Sequence, residues 1–507
     1  MASAPEILQP RIEPQAPAGP TRAEKTATGT IQNLLAHGLL VPTGFVIAAF
    51  VSRTLGPSEY GNLVVAISIV TWLEMLIQTI FSSAIVTFVA ESRDWESPAR
   101  VGAQFQTGSA LAVGAALFLA APAVAALLGA PELGSDLRLF AIDIPLISLS
   151  YVYGSVLIGR ELFGRNSLPI ATFWLGRMLF MVLLVALTHS VAGAILGTVC
   201  AAAVRLAVSC LLVRVPLWGR GTFPVRRLLS YTSVSVFFAI TIPLFDKIGL
   251  FLTKALDPNP QTAGYYGAAL NLITVPALLA GTVAPLILAS LTKELASSGL
   301  EAGRQLVRQG NRMILFLLPF TGVAVACSTG IVTLIYGSSF APTGMFFTLL
   351  AFAAALWASI SLSTGLLVAA GRLRWLLLLH VPLLPLLIVS GQVAISRMGG
   401  IGGAWATLAV GAAGAAAAML MVWRYYGTCF RPRTFFNVLL ATLLPLALGS
   451  LWNAMGWLVI LKFGGLAAAD FGLLVLLREF NAGDLWFVRT LASRFLSNTK
   501  GSDQSCN

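Results

Sequence analysis

The sequence predicts an all-α polytopic membrane protein. About fourteen transmembrane helices are expected, as two parallel six-helix repeats forming two lobes around a central cavity, plus two extra C-terminal helices. Three observations carry this fold class. Of 507 residues, 57% are hydrophobic and 10% charged, with mean hydropathy +0.86. Soluble domains carry about 25% charged residues, so a soluble fold would have little polar surface to show water. Apolar runs of about 18 residues or more recur along the chain, the length a bilayer demands of a helix. Short motifs recur in both halves at a nearly constant offset. Abundant helix formers, and the lack of alternating apolar and polar segments, argue against a membrane β-barrel.

Taken in order, residues 1–29 are polar and rich in proline (Pro5, Pro10, Pro14, Pro17, Pro20) and are expected to be a disordered tail. The first apolar run begins near Ile31 without a cleavage site, so no signal peptide is expected. Helices are expected over 31–51, 61–83, 104–128, 138–158, 170–188 and 190–213, giving a first lobe over 30–213. A linker over 214–228 follows. A second lobe over 229–424 has helices at 229–252, 268–291, 313–336, 345–369, 375–396 and 401–423. Two further helices lie at 435–458 and 463–477, within 435–477, before a polar tail over 478–507. Pro243 and Pro276 fall within helices, where bends are tolerated. Leu300–Arg312 reads as amphipathic and is expected on the membrane surface.

The loops test this topology. With the N-terminus in the cytoplasm, 24 of the 32 Lys and Arg fall on the cytoplasmic side and 5 on the other; 3 lie inside helices. Positive charge favours the cytoplasmic face, and an error of one helix would destroy the asymmetry downstream. Both termini are therefore expected in the cytoplasm. The net charge of +12 reads as topology signal and contact with anionic membrane lipids. No basic patch is interleaved with aromatics on a soluble module, which argues against nucleic acid. Five cysteines show no paired or metal-ligand spacing, so no cofactor, metal or disulfide framework is expected.

The repeats rest on four matches. Tyr60-Gly61 corresponds to Tyr266-Gly267, Leu128-Gly129 to Tyr336-Gly337, Gly159-Arg160 to Gly371-Arg372, and Ala192-Gly193-Ala194 to Gly402-Gly403-Ala404, at offsets of 206, 208, 212 and 210. Six helices per repeat start both repeats on the same side, which makes them parallel repeats of the kind that rock around a central site.

Charges inside the helices cost about 2.5–3.5 kcal/mol each on insertion scales, so each needs a partner or a watery cavity. They are Glu74, Asp143, Arg177, Arg205, Asp246, Lys247 and Asp470. Glu74 and Gln78 share a face with Thr71; Asn33 and His37 share another; Asn271 opens the eighth helix. These six polar groups (Glu74, Asp246, Gln78, His37, Asn33, Asn271) are expected to line the cavity or couple to an ion. Glu74 pairing with an arginine inside the first bundle is the alternative. Arg177 and Arg205 each sit about eight residues from a helix end, roughly 12 Å deep. With Lys247 they form the expected cationic substrate site, since a guanidinium fork matches phosphate; a structural charge network is the competing reading. Asp143 reads as interfacial, and His380 as a packed histidine.

The loop Arg53-Thr54-Leu55-Gly56-Pro57-Ser58-Glu59-Tyr60-Gly61 resembles the signature loop of bacterial polysaccharide flippases, within the multidrug/oligosaccharidyl-lipid/polysaccharide exporter superfamily. Phe245-Asp246-Lys247, Ala263-Gly264-Tyr265-Tyr266-Gly267-Ala268-Ala269, Tyr336-Gly337 and Gly400-Ile401-Gly402-Gly403-Ala404 also fit, so the resemblance spans about 25–495. It implies two lobes around a cationic cavity, and Asp246 at the position of a family aspartate. It implies a non-enzymatic flippase of the bacterial inner membrane for O-antigen, capsule or exopolysaccharide. The cargo would be a polyprenyl-pyrophosphate-linked oligosaccharide. Coupling to H+ or Na+, and work beside a polysaccharide polymerase and chain-length proteins, are part of that expectation. A lipid II flippase and a multidrug exporter are the nearest alternatives. A membrane-embedded polymerase or ligase is a third, disfavoured because no long external loop exists to carry catalytic groups.

Overall fold

A computed structural model describes residues 22–213, 219, 223–274, 301, 304–305, 307–430, 432–452 and 454–479. The regular structure among them is helical. In the first half it comprises α1 (Arg22–Gly38), α2 (Leu40–Glu91), α3 (Glu96–Leu127), α4 (Leu133–Phe140), α5 (Asp143–Gly159), α6 (Phe163–Thr188) and α7 (Val191–Leu212). In the second half α8 (Val225–Leu256) is followed by α9, which runs over 262–274. Then come α10 (Leu317–Ala326), α11 (Ser328–Tyr336), α12 (Thr343–Ala369), α13 (Leu373–Met398), α14 (Ile401–Tyr426), α15 (Pro432–Ser450) and α16 (Leu458–Leu476).

Ten helical segments among the described residues are long and apolar enough to cross a membrane, and an eleventh is Val307–Ala326 with Ser328–Tyr336, bent by 64°. This is a multi-pass membrane protein. The segment Thr28–Glu91 makes two passes, because the helix breaks at Gly56 (φ 76°, ψ 175°) immediately before Pro57. That backbone conformation is open essentially to glycine alone, and Pro57 then fixes the φ of the next turn. Most of the expected eighth span, including Pro276, lies outside the described residues, as do the tail residues 1–21 and 480–507.

The chain shuttles between two ends. One end carries the connections at 92–95, 160–162, 213, 219, 223–224, 370–372 and 427–430, and is called here the basic end. The other carries Gly56, 128–132, 257–261 and 337–342. Within the first half, α6 packs on α1 and α7, and α5 packs on α2, α3 and α7; within the second, α14 packs on α12 and α13, and α8 on α13. α15 and α16 pack on α10 and each other, with the buried Lys462 Nζ donating to Gly449 O at 2.9 Å. The halves meet where α2 packs on α8 and α11.

Several boundaries differ from expectation, each for a local reason. α1 starts at Arg22, inside the stretch expected to be disordered. α6 starts at Phe163 rather than 170, because its first turn packs on α1, where Asn166 Nδ2 donates to Asn33 Oδ1 at 3.1 Å. The described part of the amphipathic segment packs its apolar face against the protein. Val307 and Ile314 are buried with Leu366, Val422 and Tyr426. Arg304 Nε donates to Tyr426 O (2.8 Å), Arg308 Nε to Thr428 Oγ1 (2.7 Å) and Asn311 Nδ2 to Cys429 O (3.0 Å). The first of these satisfies a carbonyl that the end of α14 leaves without a helical partner, and the other two hold the turn that follows.

Candidate functional site

A cavity of about 280 Å³ lies between the halves. α2 supplies most of its wall, from Leu40 to Val51 before the Gly56 break and from Tyr60 to Thr71 after it. α6 adds Trp174, Arg177 and Met181; α8 adds Lys247; α9 adds Leu270, Asn271 and Thr274; α11 adds Tyr336. The lining is largely aliphatic and aromatic, with few polar groups converging, as ligand sites commonly are. One cation comes from each half.

Arg177 lies 14 residues beyond Phe163, about 21 Å along α6 at 1.5 Å per residue. The extra turns at the start of α6 therefore place it near mid-helix rather than 12 Å deep. Its guanidinium carbon stands 6.0 Å from the Trp174 ring centroid. Behind it, Glu74 and Asp143 lie near each other, in the electrostatic field of both Arg177 and Arg205. Glu74 Oε1, Asp143 Oδ1, Arg177 Nε and Arg205 Nε are buried without a hydrogen-bond partner among the described residues. Such groups are costly unless a polar ligand or water reaches them.

Asp143 is 3% exposed and is not interfacial. The short helix α4 intervenes after the turn, carries the chain inward, and delivers Asp143 as the first residue of α5. This role was missed because α4 and α5 read as one span in the sequence.

The residues expected in the cavity divide. Arg177, Lys247 and Asn271 line it. Arg205 does not. It is buried on α7 with its guanidinium carbon 4.4 Å from the Tyr151 ring and 5.4 Å from the Phe173 ring, clasped inside the first half. Asn33 is held by Asn166, tying α1 to α6. His37 is exposed on α1, in the field of Arg205. Glu74 and Gln78 continue the Thr71 face beyond the lining, and both are partly buried. Asp246 is exposed while its neighbour Lys247 turns into the cavity, as adjacent helical residues must diverge. His380 is packed, its Nε2 3.0 Å from Thr364 Oγ1. Tyr60 and Tyr336 were legible only as landmarks of the repeat and of the family resemblance, yet both line the cavity.

The solved structures show the same fold. A lipid II flippase, MurJ, in an inward closed conformation aligns with TM-score 0.72 at 13% identity, covering 89% of this chain and 99% of that one. An inward-facing multidrug resistance MATE family transporter aligns with TM-score 0.64 at 14% identity, covering 84% and 99%. A transporter of the same MOP superfamily from Pyrococcus furiosus aligns with TM-score 0.57 at 14% identity, covering 83% and 96%. Among curated proteins no sequence matches. The family model described as polysaccharide biosynthesis protein matches residues 26–287. With more than half of its length matched, and with the fold of flippases and transporters, this chain belongs to the polysaccharide biosynthesis protein family.

Proposed function

We propose that this protein flips a polyprenyl-pyrophosphate-linked oligosaccharide across the bacterial inner membrane, from the cytoplasmic to the outer leaflet. The observation that carries the reading is the pairing of Arg177 from the first half with Lys247 from the second across one cavity. A pyrophosphate and its glycan cannot cross hydrocarbon unaided. Two fixed cations and the Asn271 amide offer the anion charge-assisted contacts while the polyprenyl chain stays in lipid. At about 280 Å³ the cavity is slightly smaller than sites that hold drug-sized ligands. It suits the phosphate portion, and the sugars require the basic end to open.

The protein works without catalysis, by alternating access, as the family and its transporter fold support. The basic end faces the cytoplasm, as the Lys and Arg asymmetry supports. The Glu74 and Asp143 carboxyls, beside Arg177, provide an ion-coupling element: a change in their charge alters the field that holds Arg177. The coupling ion is H+ or Na+. Release into the outer leaflet would feed a polysaccharide polymerase and its chain-length partners.

The test uses vesicles carrying the purified protein and a fluorescent polyprenyl-pyrophosphate glycan, with glycosidase access to the outer leaflet as the readout. Arg177→Ala and Lys247→Ala should each slow flipping about tenfold or more, the scale of a lost charge-assisted hydrogen bond. Undiminished rates in both, at equal protein, would overturn the assignment. Lipid II in the same vesicles separates this reading from that of a peptidoglycan precursor flippase.

A further inference from the structure

The end opposite the basic loops is sealed by equivalent segments of the two repeats. The part of α2 just after the Gly56 break lies backbone to backbone against the start of α9. A Cβ on Gly61 would come within 2.7 Å of Gly264 N, and one on Gly264 would run into the carbonyl oxygen of Pro57. Around this crossing, Arg53 Nη2 donates to Leu334 O (2.6 Å), Ser52 Oγ to Tyr336 O (3.4 Å) and the Tyr336 hydroxyl to Ala268 O (3.2 Å). The Tyr60 ring stands edge-on to Tyr336 and Phe340, at 5.9 and 5.5 Å between centroids. Its hydroxyl accepts from Asn271 Nδ2 at 2.8 Å.

Tyr60 is 3% exposed and Tyr336 is fully buried, so the seam is dry. Yet Tyr60, Asn271 and Tyr336 also line the cavity. The seam is therefore the cavity's closed wall. The other three seam hydrogen bonds end on backbone carbonyls. The Tyr60–Asn271 bond joins two cavity-lining side chains, one from each half.

We propose that the Tyr60–Asn271 hydrogen bond is the latch of this seam, and that a polar headgroup entering the cavity releases it by competing for the Asn271 amide. Tyr60 thereby acts as a positioning residue: it links cavity occupancy to separation of α2 from α9. The inference rests on the transport reading above, since only a transporter needs this wall to open.

The test is a spin–spin distance measurement across the seam, on the full-length chain in lipid nanodiscs. Nitroxides sit at Glu59→Cys and Pro258→Cys, with the five native cysteines replaced. Both positions are exposed, one in each half. The parent should give a short distance. Tyr60→Phe and Asn271→Leu should each enrich a longer distance about two- to tenfold, the scale of one net hydrogen bond. Gly264→Val, which forces a side chain against Pro57, should enrich the same longer distance by an independent route and identify it as the open seam. Sodium pyrophosphate should shift the parent toward that distance and leave Arg177→Ala unmoved. If both latch variants keep the parent's distribution while Gly264→Val opens, the latch is overturned. If the latch variants open but pyrophosphate leaves the parent unmoved, the latch stands and the anionic-headgroup reading fails.

Discussion

Arg177 and Arg205 are the same residue type on adjacent helices, and their surroundings give them different work. Arg177 reaches the cavity; Arg205 is enclosed by Tyr151 and Phe173 beside the Glu74–Asp143 pair. Removing a buried charge from such a group strands its partners, at a cost of about 3 kcal/mol, and forfeits the cation–π contacts as well. Arg205→Ala should therefore lower the thermal unfolding midpoint in detergent, with transport lost in step with folded protein. Arg177→Ala should keep its midpoint and lose transport. A variant pair with the opposite pattern would exchange the two roles. Lys247 has the adjacent Asp246 in its electrostatic field, so Lys247→Met should be tolerated for folding better than Arg205→Ala.

At the scale of elements, the turns hold the fold's most restrictive geometry. Gly56 sits in a backbone region that other residues enter only at about 1–3 kcal/mol. Gly56→Val should lower the yield and melting midpoint of folded protein, although nothing crowds a Cβ there. Gly108→Ala is the control: it sits inside α3, also with nothing within 4 Å of a new Cβ, and should be silent or slightly stabilising. The spans were legible in the sequence because a bilayer imposes one strong constraint, a long apolar helix. The Arg53–Gly61 loop was legible because Gly-Pro leaves the backbone few options. The position of Arg205 was not, since Tyr151 and Phe173 reach it from α5 and α6 and no local pattern marks that meeting. Nor was the depth of Asp143, which depends on a single inserted helix of eight residues, α4. Arg177, Lys247 and Asn271 were legible as costly or oddly placed polar groups. Which of the candidates faced inward was a property of helix rotation, and that is set by packing.

At the scale of the molecule, orientation is the first prediction. Alkaline phosphatase fused after His189 should be active in cells and inactive after Arg160, because the two positions lie at opposite ends of α6. Equal activity at both would invalidate the topology. The two ends also hold the halves together by different physics. Opposite the basic loops the halves meet through buried rings and backbone. At the basic end α2 and α8 overhang: the stretch 57–91 runs about 52 Å at 1.5 Å per residue, against a hydrocarbon core of about 30 Å. There Arg227 Nη2 meets Glu91 Oε2 at 3.0 Å, with side chains 59% and 53% exposed. Such a pair contributes about 0–1 kcal/mol, and mobile ions weaken it as the screening length shrinks from about 8 Å at 0.15 M to 3 Å at 1 M. The dry seam has no comparable sensitivity. Ionic strength thus weakens the ion pair at the basic end, leaving the buried Phe88–Leu228 contact beside it, and spares the seam. Spin labels flanking Glu91 and Arg227 should show a broader distance distribution in concentrated salt, bounded by the buried Phe88–Leu228 contact, while those across the Tyr60 seam stay put, which makes the composition of the surrounding solution a selective handle on a machine otherwise immersed in lipid.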